Sequence, residues 1–191
     1  MMIVTGAYFR QAVELMAGTC AEAESSLNFN ELYQSVRGSV KSRYQLSTSE
    51  SMASSAVKTA VDVGAKCIVV YSESGATARH VAKFRPGMPV AVLTPNGQVA
   101  RQCFGTLKAC YAYIVDSLDD TDALNKEVMR ECRVAGIAKV GDPVVIVCGT
   151  KCGAGTTNQV KVEYVENDPA KTYVRAHLDN NNAEFNGCTI S

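Results

Sequence analysis

The sequence predicts an α/β fold in which a mostly parallel, five-stranded sheet has helices on both faces and an antiparallel last strand. Short apolar, β-branched runs alternate along the chain with segments that repeat apolar residues every three to four positions, as strands and helices do. Strands that alternate with helices favour a parallel sheet joined by right-handed crossovers. The last two predicted strands have only a loop between them, which is too short for a crossover. We therefore expect these two strands to pair antiparallel.

Three helices are predicted before the first strand. Ala7 to Ser25 and Asn28 to Arg37 each carry an apolar stripe with helical spacing. The third helix has Ser47 as its predicted N-cap, with Glu50 at the capping-box position. Gly64 is the predicted C-cap of that helix. Its small residues should let a sheet approach closely.

A buried strand, a polar turn and a helix follow in immediate succession. Cys67 to Tyr71 is a continuous apolar run that is typical of a strand buried on both faces. Ser72 to Thr77 is small and rich in hydroxyl groups, and Ala76 to Phe84 has helical spacing that Pro86 ends. A helix that starts after a tight turn directs free backbone N–H groups at an anion. The hydroxyl groups of the turn could instead cap the helix. On this stretch alone, helix capping and anion binding are equally favoured.

The alternation continues to residue 165. Further strands are predicted at Met88 to Leu93, Lys108 to Val115, Val144 to Cys148 and Gln159 to Val165, and helices at Asn96 to Thr106 and Thr121 to Ala135. Asp119 or Asp120 should cap the second of these helices. Gly149 to Thr157 is a loop rich in Gly and Thr. Because both polar loops follow the carboxyl ends of strands, where α/β sheets bind ligands, anion binding becomes the favoured interpretation.

The composition excludes several classes of partner. The 191 residues contain 19 basic and 19 acidic side chains, so electrostatics gives no reason to expect binding to nucleic acid or to an anionic membrane. No apolar run reaches the length of a membrane helix, and the first residues lack the features of a signal peptide. The eight cysteines include no C-x-x-C pair. We expect reduced thiols, no metal site and a cytoplasmic protein.

Several long motifs resemble the C-terminal α/β domain of pyruvate kinase. They are Ala7 to Phe9 with Met16 to Glu24, Ala53 to Ala60, Ser74-Gly75 with Ala78-Arg79, Val81 to Pro86, Asp119 to Asp122, Gly136 to Asp142 and Gly153 to Asn158. The resemblance covers residues 5 to 166 and implies a three-layer α/β/α domain with a five-stranded mixed sheet. Residues 1–166 would form this domain. Residues 167–191 would be a C-terminal extension, which we expect to be loosely ordered.

The resemblance also implies a role for the two polar loops, which hold an allosteric sugar bisphosphate in many relatives. The candidate effector- or phosphate-binding residues are therefore Ser72, Glu73, Ser74, Gly75, Ala76, Thr77, Gly153, Gly155, Thr156 and Thr157. Responsive relatives usually carry Lys or a small hydroxyl residue where this chain has Glu73. Relatives that grip a second phosphate carry Arg where this chain has Leu124. We expect a single phosphate or sulfate to bind, and a sugar bisphosphate only weakly.

The resemblance begins where the catalytic barrel of the family ends. We therefore expect no catalytic residue and no pyruvate kinase activity in this chain alone, and we expect Mg²⁺ and K⁺ only with the barrel. The chain is either a regulatory and oligomerisation domain of a pyruvate kinase, the glycolytic enzyme that transfers a phosphoryl group from phosphoenolpyruvate to ADP, or a stand-alone sugar-phosphate-binding or protein-interaction module without catalysis. The exposed edge strand Gln159 to Val165 and the way relatives assemble through this domain both imply a dimer.

Overall fold

The computed structural model describes residues 8–149 and 156–166. Its elements, in chain order, are α1 (Phe9–Ser25), α2 (Phe29–Lys41), α3 (Thr48–Val63), β1 (Cys67–Tyr71), α4 (Ala76–Lys83), β2 (Val90–Thr94), α5 (Gly97–Thr106), β3 (Cys110–Ile114), α6 (Thr121–Val134), β4 (Pro143–Gly149) and β5 (Thr157–Tyr164). The strand order is β3-β2-β1-β4-β5, with β4 and β5 antiparallel and the other pairs parallel. The predicted fold is confirmed. The predicted extension, 167–191, lies outside the described residues.

The centre of the sheet is β1, which is buried along its whole length. Ile68 and Val70 point to one face, into a core shared with α3, α4 and α5. The alternate residues of β1 point to the other face, into a core shared with α6. A continuous apolar run at this position fills both cores because successive side chains of a strand point to opposite faces. The sheet is therefore the middle layer of three.

The third helix begins and ends at the predicted residues. The Ser47 hydroxyl accepts a hydrogen bond from the Glu50 N–H at 3.3 Å, and Gly64 adopts the left-handed conformation with φ of 67°. Ala53, Ala56 and Ala60 are fully buried against the sheet. Small side chains on this face let the helix and the sheet approach closely, as predicted.

The first helix is confirmed, but its apolar stripe is not part of the core. Within Phe9–Ser25, all of which the structure describes, no residue is buried. Leu15 is 73% exposed. At its C-terminal end the helix is joined to the rest of the domain by an ion pair between Glu24 and Lys108, at 3.2 Å, and the Lys108 ammonium also lies 4.6 Å from the centre of the Phe29 ring.

Several predicted boundaries shift for local reasons. The second helix continues to Lys41, beyond its predicted end at Arg37. The third strand begins at Cys110 and not at Lys108, because Ala109 has a positive φ of 56° that interrupts the extended backbone. The last strand begins at Thr157, where the register with β4 shifts between Cys148 and Gly149.

In the described ranges, no helix is long and apolar enough to cross a membrane.

A buried carboxylate connects the start of α3 to the end of α4. The Lys83 ammonium donates to Glu50 Oε1 and to the Tyr44 hydroxyl, each at 2.5 Å, and the Tyr44 hydroxyl donates to Glu50 at 2.9 Å. Burial by itself raises the pKa of Glu50, but these hydrogen bonds and the Lys83 charge outweigh burial, so the pKa is lowered overall. The Glu50 side chain is 6% exposed and that of Lys83 is 34% exposed.

Replacing this carboxylate should destabilise the domain in a pH-dependent way. We expect Glu50→Gln to lower the free energy of unfolding at pH 7 by about 1–3 kcal/mol, because charge-assisted hydrogen bonds to a buried group are lost. Since the folded-state pKa lies below the unfolded value of about 4.3, the contribution is present above that value and disappears as the pH falls through the folded-state pKa. Urea unfolding at pH 7 and at about pH 3 measures it.

The exposed Glu22 provides the control. Glu22→Gln should change the unfolding free energy by less than about 0.5 kcal/mol at either pH. An equal loss for Glu50→Gln at both pH values would contradict the electrostatic explanation and indicate a packing defect.

Candidate functional site

The first polar loop leaves the sheet directly after β1. Ser72 is buried, and its backbone N–H donates to the Leu93 carbonyl at 3.0 Å, which extends the pairing of β1 with β2. Glu73 and Ser74 are exposed. Gly75 has a positive φ of 76°, and a Cβ there would lie 3.0 Å from Val99 Cγ1. The turn therefore requires glycine for both its backbone conformation and its packing.

The helix that follows starts without a side-chain cap. Its N-cap is Gly75, and no described side chain accepts a hydrogen bond from its first turn. The capping interpretation of Ser72, Ser74 and Thr77 is therefore wrong, because a left-handed glycine occupies the N-cap position. The first intrahelical bond joins the Arg79 N–H to the Gly75 carbonyl at 3.0 Å. The backbone N–H groups of the first turn of α4, which precede this bond, have no acceptor within the helix. They point towards the loop before the helix.

A buried hydrogen bond joins this helix to the second polar loop. The hydroxyl groups of Thr77 and Thr157 lie 2.7 Å apart, and both residues are buried. Thr156 is half-buried beside them. The structure thus brings one end of the second loop to the first turn of α4, at the carboxyl edge of the sheet. Gly153 and Gly155, also predicted for this site, lie outside the described residues.

The second loop leaves β4 in close contact with its own return. A Cβ on Gly149 would lie 2.7 Å from the Thr156 carbonyl oxygen, so a larger residue would force the two ends of the loop apart. The register shift between β4 and β5 occurs at the same place. Glycine at position 149 therefore allows the close approach of Thr156.

The basic residues after the turn have different roles. The Arg79 guanidinium donates to the Ser74 carbonyl at 3.5 Å, so it lies over the loop. The Lys83 ammonium is paired with the Glu50 carboxylate. His80 is half-buried, and burial lowers its pKa, with the Lys83 and Arg79 charges acting in the same direction and Glu50 opposing them. A neutral imidazole at this position adds no charge to the site.

The structure adds the packing of Leu124 to the sequence expectation, which stays a prediction. Its side chain is partly buried against the apolar core on the α6 face, beside Leu93 and Tyr113. An arginine at this position would have to leave that core before it could reach a ligand. Leu124 is therefore a packing residue of α6 and not simply a missing cation.

The sequence analysis missed a buried polar network beside this edge. The Tyr71 hydroxyl lies 2.7 Å from Asn125 Oδ1 and 3.0 Å from the Thr121 carbonyl oxygen, and Asn125 Nδ2 donates to Glu163 at 3.4 Å. Burial raises the pKa of Tyr71, so the phenol stays protonated. The signal in the sequence was an asparagine on the apolar face of a predicted helix.

The acidic residues at the start of α6 act as a cap. Asp120 accepts a hydrogen bond from the Ala123 N–H at 3.1 Å.

Among residues 8–149 and 156–166, no group of three or more His, Cys, Asp or Glu side chains could hold a metal ion. The six cysteines in these ranges are free thiols.

The sheet order, the two joined loops and the glycine-capped helix define a three-layer α/β domain with a candidate anion site at its carboxyl edge. The family model described as pyruvate kinase, alpha/beta domain, matches residues 50–163. This chain therefore belongs to the pyruvate kinase alpha/beta domain family, and the resemblance seen in the sequence is confirmed.

Individual relatives agree with this assignment. The pyruvate kinase of Dictyostelium discoideum is 34% identical over 162 residues, covering 83% of this chain and 31% of that protein, and that of Agaricus bisporus is 34% identical over 174 residues, covering 86% and 32%. A crystal structure of a pyruvate kinase from Cryptosporidium parvum is similar, with a TM-score of 0.76 and 29% identity, over 84% of this chain and 31% of that chain. This chain spans about a third of the length of the relatives it matches.

The hydrogen bond between Thr77 and Thr157 should stabilise the folded domain. We expect Thr77→Val or Thr157→Val to lower the unfolding free energy by about 1–3 kcal/mol, because each leaves a buried hydroxyl without its partner. The double variant should lose less than the sum of the single variants, since no unpaired hydroxyl remains. Denaturant unfolding of all four proteins measures this coupling. Strict additivity would contradict the hydrogen bond.

Proposed function

We propose that this chain is the regulatory and assembly domain of a pyruvate kinase, and that its edge site binds the phosphate group of a small metabolite. The observation that carries the proposal is the Thr77–Thr157 hydrogen bond, which joins the two loops at the start of α4. We assign the phosphoryl transfer from phosphoenolpyruvate to ADP, with its Mg²⁺ and K⁺, to a catalytic part outside the residues described. This domain then contributes control and assembly, in the cytoplasm.

The phosphate would lie against the first turn of α4. The N–H groups of Ala76, Thr77 and Ala78 precede the first intrahelical bond and can donate to phosphate oxygens, and the partial positive charge of the helix N-terminus favours an anion. The exposed Ser74 hydroxyl belongs to the loop before α4, and the Arg79 guanidinium reaches back from α4 to the Ser74 carbonyl. Glu73 opposes binding, because an exposed carboxylate repels a phosphate dianion.

A single phosphate fits this site better than a bisphosphate. The position from which an arginine would bind a second phosphate is Leu124, whose side chain packs against Leu93 and Tyr113. Removing a bidentate guanidinium removes a charge-assisted clamp. The second phosphate of a sugar bisphosphate should therefore add little to the affinity of the first.

A stand-alone binding module is the second candidate function. Its support is that both faces of the sheet are covered and each has its own buried core, so the domain has the packing of an independently folding unit. The two functions differ in whether a catalytic barrel is encoded with this chain. Sequencing the full native message distinguishes them.

Replacing Glu73 should strengthen phosphate binding. Isothermal titration calorimetry with inorganic phosphate should show saturable binding to the unmodified chain and about tenfold tighter binding to Glu73→Lys, which corresponds to about 1.4 kcal/mol. Glu73→Gln, which only removes the negative charge, is the matched control and should fall between the two. Fructose 1,6-bisphosphate should bind within about tenfold of phosphate.

Two results would contradict the proposed site. Saturable heat that is identical for all three proteins would show that phosphate binds away from Glu73. Absence of saturable heat from every protein would show that the site does not bind phosphate.

We further propose that the assembly function uses the free edge of β5. Within residues 8–149 and 156–166, this strand pairs with β4 on one side only, and Val162 and Tyr164 are exposed. In an antiparallel pair of two β5 strands centred on Val162, Lys161 faces Glu163 of the partner subunit. Opposite charges facing each other across strands stabilise the pairing, and a second copy also covers the unpaired backbone groups of the edge.

A charge exchange tests this pairing. Sedimentation velocity should detect a dimer of the unmodified chain, and Lys161→Glu or Glu163→Lys should each weaken it by about tenfold or more, since like charges then face each other twice across the two-fold axis. The Lys161→Glu, Glu163→Lys double variant should regain the original affinity. A double variant as weak as the single variants, or an unmodified chain that stays monomeric at millimolar concentration, would contradict the pairing.

A further inference from the structure

The strand at the opposite end of the sheet from β5 is also an edge. Among the strands that the structure describes, β3 pairs with β2 only. Its five residues, Cys110–Ile114, include no charged side chain and no proline, and their register with β2 is regular. Charges, prolines and bulges are the devices that keep an edge strand from pairing with another chain. Because β3 has none of them, its edge is open to a further strand.

The hydrogen bonds to β2 show which backbone groups of β3 face this open edge. The Val90 N–H donates to the Ala109 carbonyl at 2.8 Å, and the Val115 N–H donates to the Thr94 carbonyl at 3.1 Å. The N–H and C=O groups of a strand point to alternate sides from one residue to the next. The groups that face away from β2 therefore belong to Cys110, Ala112 and Ile114.

The side chains beside this edge form an accessible apolar surface. Tyr111 is 45% exposed and Ile114 is 38% exposed. The exposed Phe104 ring of α5 packs edge-on against the Tyr111 ring, with the ring centres 6.4 Å apart. A partner strand at this edge would cover aromatic surface and backbone groups together.

The strand has the same chemical character when it is read in either direction from Ala112. Tyr111 and Tyr113 flank this residue, and the apolar Cys110 and Ile114 follow outwards. In an antiparallel pair of two copies centred on Ala112, Tyr111 of one copy faces Tyr113 of the other, and Cys110 faces Ile114. Such aromatic and apolar pairs stabilise antiparallel strands. Since the backbone groups of Ala112 face outwards, the two Ala112 residues exchange their N–H and C=O groups as a hydrogen-bonded pair.

Charges just beyond the strand favour the antiparallel direction. Lys108 and Asp116 lie at equal distances in sequence before and after Ala112. In the antiparallel pair, each Lys108 faces Asp116 of the partner subunit. In a parallel pair of the same register, lysine would face lysine and aspartate would face aspartate. Lys108 also contacts Glu24 at 3.2 Å, so its ammonium would lie between two carboxylates. Opposite charges that face each other across strands stabilise the pairing.

We propose that β3 is a second self-association surface, at which two copies of this chain pair antiparallel about Ala112. A two-fold axis then relates identical surfaces, and the two sheets become one continuous sheet. Since β3 and β5 are opposite edges, a chain that also forms the pairing proposed above for β5 would assemble into an open row of subunits. The contact is short, so a dimer through β3 alone should dissociate with a Kd between about 10 µM and 1 mM.

The experiment first blocks the β5 pairing, so that the two surfaces are distinguished. Sedimentation velocity of the 191-residue chain with Lys161→Glu should still detect a dimer at micromolar to millimolar concentration. Adding Ala112→Pro should weaken this dimer by about tenfold or more, because proline has no N–H to donate across the open edge. Proline is tolerated in an edge strand where the N–H faces away from the sheet, so the fold should persist, which circular dichroism checks.

Two further variants in the Lys161→Glu chain complete the test. Ala112→Ser is the matched control: it is close to alanine in size and keeps the N–H, so the dimer should keep its affinity. Tyr111→Lys removes the pair with Tyr113 of the partner subunit and places a charge on the edge. It should weaken the dimer by about tenfold or more, and it keeps the test decisive if the proline variant fails to fold.

The proposal is overturned if the Lys161→Glu chain stays monomeric at millimolar concentration. It is equally overturned if a folded Ala112→Pro chain or the Tyr111→Lys chain dimerises with unchanged affinity, because the association would then use another surface. An equal loss of affinity for Ala112→Ser would show that the missing N–H is not the cause, and would also contradict the pairing.

Discussion

The burial of β1 on both faces is the constraint on which the rest of this domain depends. Five consecutive buried residues must alternate between two cores, and each core needs its own layer of helices. A strand so enclosed can reach polar surroundings only at its ends. The small polar loop after Tyr71 is therefore the first place where the chain can offer hydrogen-bonding groups to a ligand, and the position of the site follows from the packing of the strand.

The site also depends on a contact between distant parts of the chain. Thr77 and Thr157 are 80 positions apart, and their hydroxyl groups are buried together. Each hydroxyl would be costly to bury alone, so the contact between Thr77 and Thr157 stabilises both. The approach of the second loop requires Gly149, and the turn of the first requires Gly75. Two glycines and one hydrogen bond therefore fix the spacing of the candidate site.

The sequence predicted what local patterns determine. Ser47, Gly64 and β1 could be found because capping chemistry and apolar runs act within a few residues. It did not predict the exposure of Leu15 or the packing of Leu124, because an apolar stripe does not specify which surface covers it. The Tyr71–Asn125 bond was missed since its partners are 54 positions apart. The ligand-binding roles of Ser72 to Thr77, Thr156 and Thr157 stay predictions, as do those of Gly153 and Gly155.

The distribution of charge decides what kind of anion site this edge can form. Lys83 follows the turn by only a few residues, yet its ammonium is bound to Glu50 and Tyr44. The Arg79 guanidinium lies over the loop, and Glu73 offsets its charge. Since these two described side chains balance each other, attraction for the proposed anion would come chiefly from the backbone N–H groups of α4. Because those groups lie in a single helical turn, the proposed site would favour a compact phosphate over a long, twice-charged ligand.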